Sequence, residues 1–216
     1  MKEGARGNYN CIFSKNYSES VSVRILGRFW KLGIAFEPLG YNHFIPKPLS
    51  EWLYSGQNDV SVLEADLESI VLNCYQSNPE SCVEILDAYF LLRMSPLKDG
   101  NRLRQILHFL MDVNTERNVQ ELSAELNLDR RTLLRLVQKH LCTSVKEYQQ
   151  LVKFRLALNN YIEAGKETTF TELAYNHRYY DQPAFIRHFK KITDKTPRNF
   201  FKHIHRFGTF DTYWAK

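Results

Sequence analysis

The chain has 216 residues, 44% of them apolar and 25% charged, an average balance for a globular protein with room for one large domain or two small ones. Disordered, collagen-like and disulfide-scaffold classes are excluded; no apolar run reaches the ~18 to 20 residues that span a bilayer, and Met1 to Gly7 lacks the apolar stretch of a signal peptide, so a cytoplasmic protein with no membrane partner is expected. The net charge of +5 is unevenly held: residues 1–100 carry 9 Lys and Arg against 12 Asp and Glu, residues 101–216 carry 20 against 12, which suggests a regulatory or dimerising part beside a polyanion-binding part.

The first sixty residues are rich in β-formers, Gly, Pro and Asn. NYNCIFS, VSVRIL at Val21 to Leu26 and FWKLGIAFEPLGYNHF from Phe29 predict short strands and turns. His43 in the last stretch is a candidate ligand contact of a sensor pocket. From Ser61 to Ser77 the period changes, with Leu63, Leu67, Ile70, Val71 and Cys74 three or four apart, which predicts a helix. Asn78-Pro79 starts another, Pro suiting the first helical turn, with Val83, Leu86, Tyr89 and Phe90 on its apolar side up to Met94. Ser95 to Gly100 collects turn formers and is read as the linker. The expected class is α+β: a small β-strand region with helices over 1–100, then an all-α domain over 101–216.

Beyond Asn101 the chain repeats. Glu121-Leu122-Ser123 returns 51 residues later as Glu172-Leu173-Ala174; Arg135-x-Val137-x-Lys139 returns 52 later as Arg187-x-Phe189-x-Lys191; Ser144-Val145 and Tyr148 return 52 later as Thr196-Pro197 and Phe200. Asn118-x-x-Glu121 and Thr169-x-x-Glu172 have the spacing at which two side chains satisfy the free N–H groups of a helix start. Asn127-Leu128-Asp129 and Arg178 to Asp181 each supply a turn and an Asp to cap the next helix. The pattern is helix, turn, helix, twice, over about 119–141 and 170–193. Between them Ser144-x-x-Glu147 opens a long helix over about 145–164, with Tyr148, Leu151, Phe154, Leu158 and Ile162 inward and Gly165 at its end.

ELAYNHRYYDQPAFIRHFKKITDKTP, Glu172 to Pro197, resembles the signature of the AraC/XylS family of bacterial transcription regulators at Ala174, Phe185, Arg187, Phe189, Lys190, Lys191, Thr196 and Pro197. The resemblance covers about Asn101 to Ile204, and GIAFEPLGYNHF with Leu86 to Arg93 is similar, more distantly, to shortened sensor domains of that family. It implies two helix-turn-helix units joined by a long helix, double-stranded DNA as partner, RNA polymerase as a further partner, and a small-molecule effector or homodimer through the N-terminal part. The family usually has Gly where this chain has Asn127, Cys142, Arg178 and Asp194. Asn and Asp tolerate a left-handed backbone, whereas Arg178 or Cys142 in that conformation costs about 1 kcal/mol, unless the turns are reshaped.

In such a unit the second helix enters the major groove. An inward stripe of Leu133, Leu136, Val137 and His140 or Leu141 leaves Arg130, Arg131, Leu134, Arg135 and Gln138 outward; Phe185, Phe189 and Ile192 inward leave Gln182, Pro183, Ile186, Arg187 and Lys190 outward. Arginine can donate twice to guanine, Gln182 can pair with adenine, and Leu134 and Ile186 offer contacts to thymine methyls. Lys139, Lys190, Lys191 and Lys195 suit phosphates. Arg135 and Arg187 have an alternative as struts paired with Glu121 and Glu172. For Tyr179-Tyr180, one ring fills the core from the turn.

No enzyme, metal or cofactor is expected. His203 and His205 lie two apart on different faces of a predicted helix, the four cysteines show no C-x-x-C, and G-x-x-x-x-G-K-[ST], G-x-G-x-x-G and G-x-S-x-G do not occur. The competing class is a protein-interaction module with a basic helical docking surface.

Overall fold

The computed structural model describes residues 32–54, 61–115, 117–164, 167–206 and 213–215. Ten helices run through them: α1 Leu49–Tyr54, α2 Ser61–Gln76, α3 Pro79–Arg93, α4 Gly100–Met111, α5 Val119–Glu125, α6 Arg130–Leu141, α7 Val145–Glu163, α8 Phe170–Asn176, α9 Gln182–Thr193 and α10 Pro197–His203. The only strands among the described residues are a three-residue antiparallel pair, Ile204–Arg206 with Tyr213–Ala215.

The expected N-terminal strand region is therefore corrected. VSVRIL and NYNCIFS lie outside the described residues, but GIAFEPLGYNHF forms an irregular segment ending in a 3-10 turn, Gly40–His43. The physical reason lies in its aromatics. Phe36, Tyr41 and Phe44 favour strands by propensity, yet they pack edge-on or tilted among one another and against Phe90 and Trp52 at centroid distances of 5.1 to 5.6 Å, so burial against helices overrides local preference. The two helices read from periodicity are present as α2 and α3, and Asn78 caps α3 by accepting the N–H of Ser81 at 2.7 Å. The short α1 was not foreseen.

By their contacts the described residues divide into two compact units, one within 32–107 and 122–143, the other within 108–121 and 144–215. In the first unit Tyr41, Leu49, Trp52, Leu67 and Tyr89 form a buried cluster, flanked by Phe36, Phe44, Ile70, Phe90 and Cys142; α1 packs on α6, and α2 on α3. On α6 the residues Leu133, Leu136, Val137, His140 and Leu141 are all buried, so both candidates for the inward end of the stripe face inside. In the second unit Phe154, Ala157 and Leu158 of α7, Leu173 and Ala174 of α8, Phe185 and Phe189 of α9, and Phe201 share one core. Each fully buried Phe contributes on the order of 1.5–3 kcal/mol.

The repeat extends to individual hydrogen bonds. After α5 the N–H of Asn127 donates to Ala124 O at 3.2 Å and that of Leu128 to Ser123 O at 2.9 Å; after α8 the N–H of Arg178 donates to Tyr175 O at 3.0 Å and that of Tyr179 to Ala174 O at 2.8 Å. This is the paired closing pattern of a helix whose next residue is left-handed, and Asn127 and Arg178 have φ of 48° and 54°. At the ends of α6 and α9, Cys142 and Asp194 have φ of 54° and 58° and close single bonds to Gln138 O and Lys190 O, at 3.1 and 2.8 Å. The turns keep the shape that glycine would favour, with side chains in place. Arg178 has external support: the buried Lys153 ammonium donates to its carbonyl at 2.6 Å and lies 4.8 Å from the Tyr179 ring.

The conformation of the exposed Arg178 predicts that Arg178→Gly stabilises the protein by about 1 kcal/mol by removing the left-handed Cβ penalty, which for a chain of this size raises the midpoint of thermal unfolding by about 2–4 °C. Calorimetry of the variant checks it, and a lowered midpoint contradicts the strain assigned to this position.

Candidate nucleic-acid interface

Both second helices start alike. Asp129 caps α6 by accepting the N–H of Thr132 at 2.9 Å, and Asp181 caps α9 by accepting that of Ala184 at 2.6 Å. Hydrogen bonds from Thr132, through its side chain and its backbone, hold the Asp129 carboxyl below the usual carboxylate range. Each cap satisfies a backbone N–H of the first helical turn that has no partner within the helix. Arg130 is the first residue of α6 and Gln182 the first of α9, so the duplicated positions are Arg130 with Gln182, Arg131 with Pro183, Leu134 with Ile186, Arg135 with Arg187, Gln138 with Lys190 and Lys139 with Lys191.

On α6, Arg130, Arg131, Arg135 and Gln138 are exposed, while Leu134 and Lys139 are half-buried; on α9, Pro183, Arg187, Lys190 and Lys191 are exposed, and Gln182 and Ile186 are half-buried, as is Lys195 beyond the helix. Ile186 packs against the core of the second unit, which limits what it can offer outward. Lys139 lies 3.7 Å from the Glu51 carboxylate of α1, and beside it Asn42 donates from Nδ2 to His140 O at 3.2 Å. Glu51 and Asn42 stand far from α6 in sequence, and no spacing rule could have found them.

The carboxylates that offered struts for the arginines are engaged at helix starts. Glu121 accepts the Asn118 N–H at 2.7 Å, and Glu172 accepts the Thr169 N–H at 2.8 Å and its hydroxyl at 2.9 Å, which holds the Glu172 carboxyl low. The other halves of these boxes are also formed, Asn118 accepting the Glu121 N–H at 3.0 Å and Thr169 that of Glu172 at 3.2 Å. Tyr179 fills the core from the turn against Phe185 at 5.2 Å and pairs through its hydroxyl with His188 Nδ1 at 2.8 Å, whereas Tyr180 is 97% exposed. Burial, with Lys191 and Lys153 nearby, pushes His188 down to about 4, so its ring is neutral near pH 7. His43 points its Nδ1 at Ser95 O, 2.8 Å away, and borders an open hollow of about 490 Å³ lined also by Leu97, Asp99, Arg102 and Arg104. Among the described residues no group of His, Cys, Asp and Glu is arranged to hold a metal ion, and no helix is long and apolar enough to cross a membrane.

Residues 122–203 match the family described as helix-turn-helix domain. The chain carries an AraC-type helix-turn-helix domain. Domains of this kind belong to DNA-binding transcription regulators. No curated protein matches the chain. Among solved structures it is similar to an apo single-residue variant of ToxT from Vibrio cholerae, with 15% identity and a TM-score of 0.39, over 66% of this chain and 54% of that one; the match thus spans about half the length of that protein. The AraC-type domain begins inside α5 and ends with α10, so both capped second helices, α6 and α9, lie within it.

Proposed function

We propose that the chain regulates transcription by reading one asymmetric double-stranded site with α6 and α9 in two successive major grooves, about one helical turn or ~34 Å apart. The observation that supports this most is the duplicated outward face: at matching places after an Asp cap, α6 presents Arg131, Arg135 and Gln138, and α9 presents Pro183, Arg187 and Lys190, all exposed. A surface for docking one protein gives no reason for the same geometry twice. In this reading Arg130, Arg131, Arg135, Gln182 and Arg187 meet base edges, Leu134 meets a thymine methyl, and Lys139, Lys190, Lys191 and Lys195 meet phosphates. Residues 101–216 carry DNA binding and residues 1–100 regulation, through an effector or a second copy of the chain, with RNA polymerase as the further partner and the cytoplasm as the place of action.

The test is Arg135→Ala and Arg187→Ala in the full chain. Each costs on the order of 1–3 kcal/mol on the preferred site and much less on random DNA, relaxing preference at one or two base pairs, while the unfolding midpoint stays. Equal losses on specific and random DNA, with a lowered midpoint, would make the arginines struts and refute the reading.

The ion pair to Glu51 adds a second expectation. Lys139→Ala weakens binding to all sequences alike and lowers the magnitude of the slope of log K against log salt by about one. Glu51→Gln has the opposite sign. By releasing Lys139 from a pair worth at most about 1 kcal/mol it tightens binding to all sequences by at most about fivefold. Titrations at several salt concentrations decide it, and weaker binding by Glu51→Gln contradicts the competition between the carboxylate and phosphate.

A further inference from the structure

The N-terminal ends of α8 and α9 meet at one side-chain hydrogen bond that the duplicated face does not account for. Thr171, the second residue of α8, donates from Oγ1 to Oε1 of Gln182, the first residue of α9, at 3.2 Å. Thr171 is not needed at its own helix start, because Thr169 and Glu172 complete that capping box between themselves. Its hydroxyl is exposed and Gln182 is half-buried, so the bond sits at the edge of the core where the first turn of α9 emerges. The corresponding positions of the first repeat hold Gln120 and Arg130. A guanidinium has no oxygen for a neighbour to hold, which confines the arrangement to the second repeat.

The geometry points to Thr171 as a positioning residue that makes Gln182 read bases as a hydrogen-bond donor; this rests on the proposed placement of α9 in a major groove. A free glutamine can turn its amide by half a rotation and offer oxygen and nitrogen side by side, the pattern that pairs with adenine N6 and N7. Here the Thr171 hydroxyl holds the oxygen toward α8. The amide nitrogen with its two hydrogens is then left for the groove. Two donors suit an edge with two neighbouring acceptors, and in the major groove that edge is guanine O6 and N7. The expected preference of Gln182 thereby moves from adenine to guanine.

The experiment selects bound duplexes from a random pool with the full chain and with Thr171→Val, Thr171→Ser and Gln182→Ala. Valine keeps the shape of threonine and removes the donor. Thr171→Val should shift the guanine-to-adenine ratio at one base pair toward adenine by about three- to tenfold. Every other base pair, the affinity for random DNA and the unfolding midpoint should stay unchanged. Thr171→Ser should restore the original ratio, and Gln182→Ala should flatten the same base pair. If Gln182→Ala flattens a base pair that Thr171→Val leaves untouched, the positioning role is overturned and the groove reading stands. If Gln182→Ala changes no base pair, both fall. A Thr171→Val protein that melts lower and binds all sequences more weakly assigns Thr171 to the fold alone and also overturns the inference.

Discussion

The architecture of the helix-turn-helix part depends on turning the chain through a left-handed residue at four places without glycine at any of them. Asn127, Cys142, Arg178 and Asp194 have φ between 48° and 58°, and each closes hydrogen bonds to the last turn of the helix before it. If one of these residues went back to a right-handed backbone, the following segment would leave in another direction, and at Asn127 and Arg178 the capping aspartates Asp129 and Asp181 would no longer meet their helices. The cost of the conformation, about 1 kcal/mol at Arg178 and Cys142, is offset by what surrounds it. At Arg178 the buried Lys153 ammonium holds the carbonyl and Tyr179 fills the core one residue on, so the strained residue is fixed between two satisfied neighbours.

Such a turn also decides which side chains are available for recognition. Because Asp129 and Asp181 take up N–H groups of the first turns, and Glu121 and Glu172 accept those at the starts of α5 and α8, the carboxylates that offered struts to Arg135 and Arg187 are engaged in capping. Lys139 differs, since it already has a carboxylate partner in Glu51. A positive charge that must leave an ion pair to meet a phosphate contributes less to affinity than a free one.

What the sequence revealed follows the range of the interactions. Caps, turns and the inward stripes of α6, α7 and α9 depend on residues three to five apart, and these were readable from Thr169-x-x-Glu172, Asn127-Leu128-Asp129 and the spacing of Phe185 and Phe189. The strands expected before residue 60 were not found in 32–54, because Phe36, Tyr41 and Phe44 look like strand residues one by one while their burial among Trp52, Phe90 and the helices is a property of the assembled core. The site was legible to the same extent. The exposure of the arginines and of Lys190 and Lys191 follows from helical periodicity, but the half-burial of Ile186 and Lys139, the Glu51 partner of Lys139 and the Thr171 bond to Gln182 come from tertiary approach and leave no mark in spacing.

The central claim is that one chain places two reading helices on one face of the duplex. Hydroxyl-radical footprinting of the full chain on its selected site tests this most directly. The account predicts two protected segments about one helical turn apart, unlike in sequence, and loss of one of them when half a turn of DNA is inserted between. A single protected segment, or a strict palindrome whose halves are read identically, would contradict it.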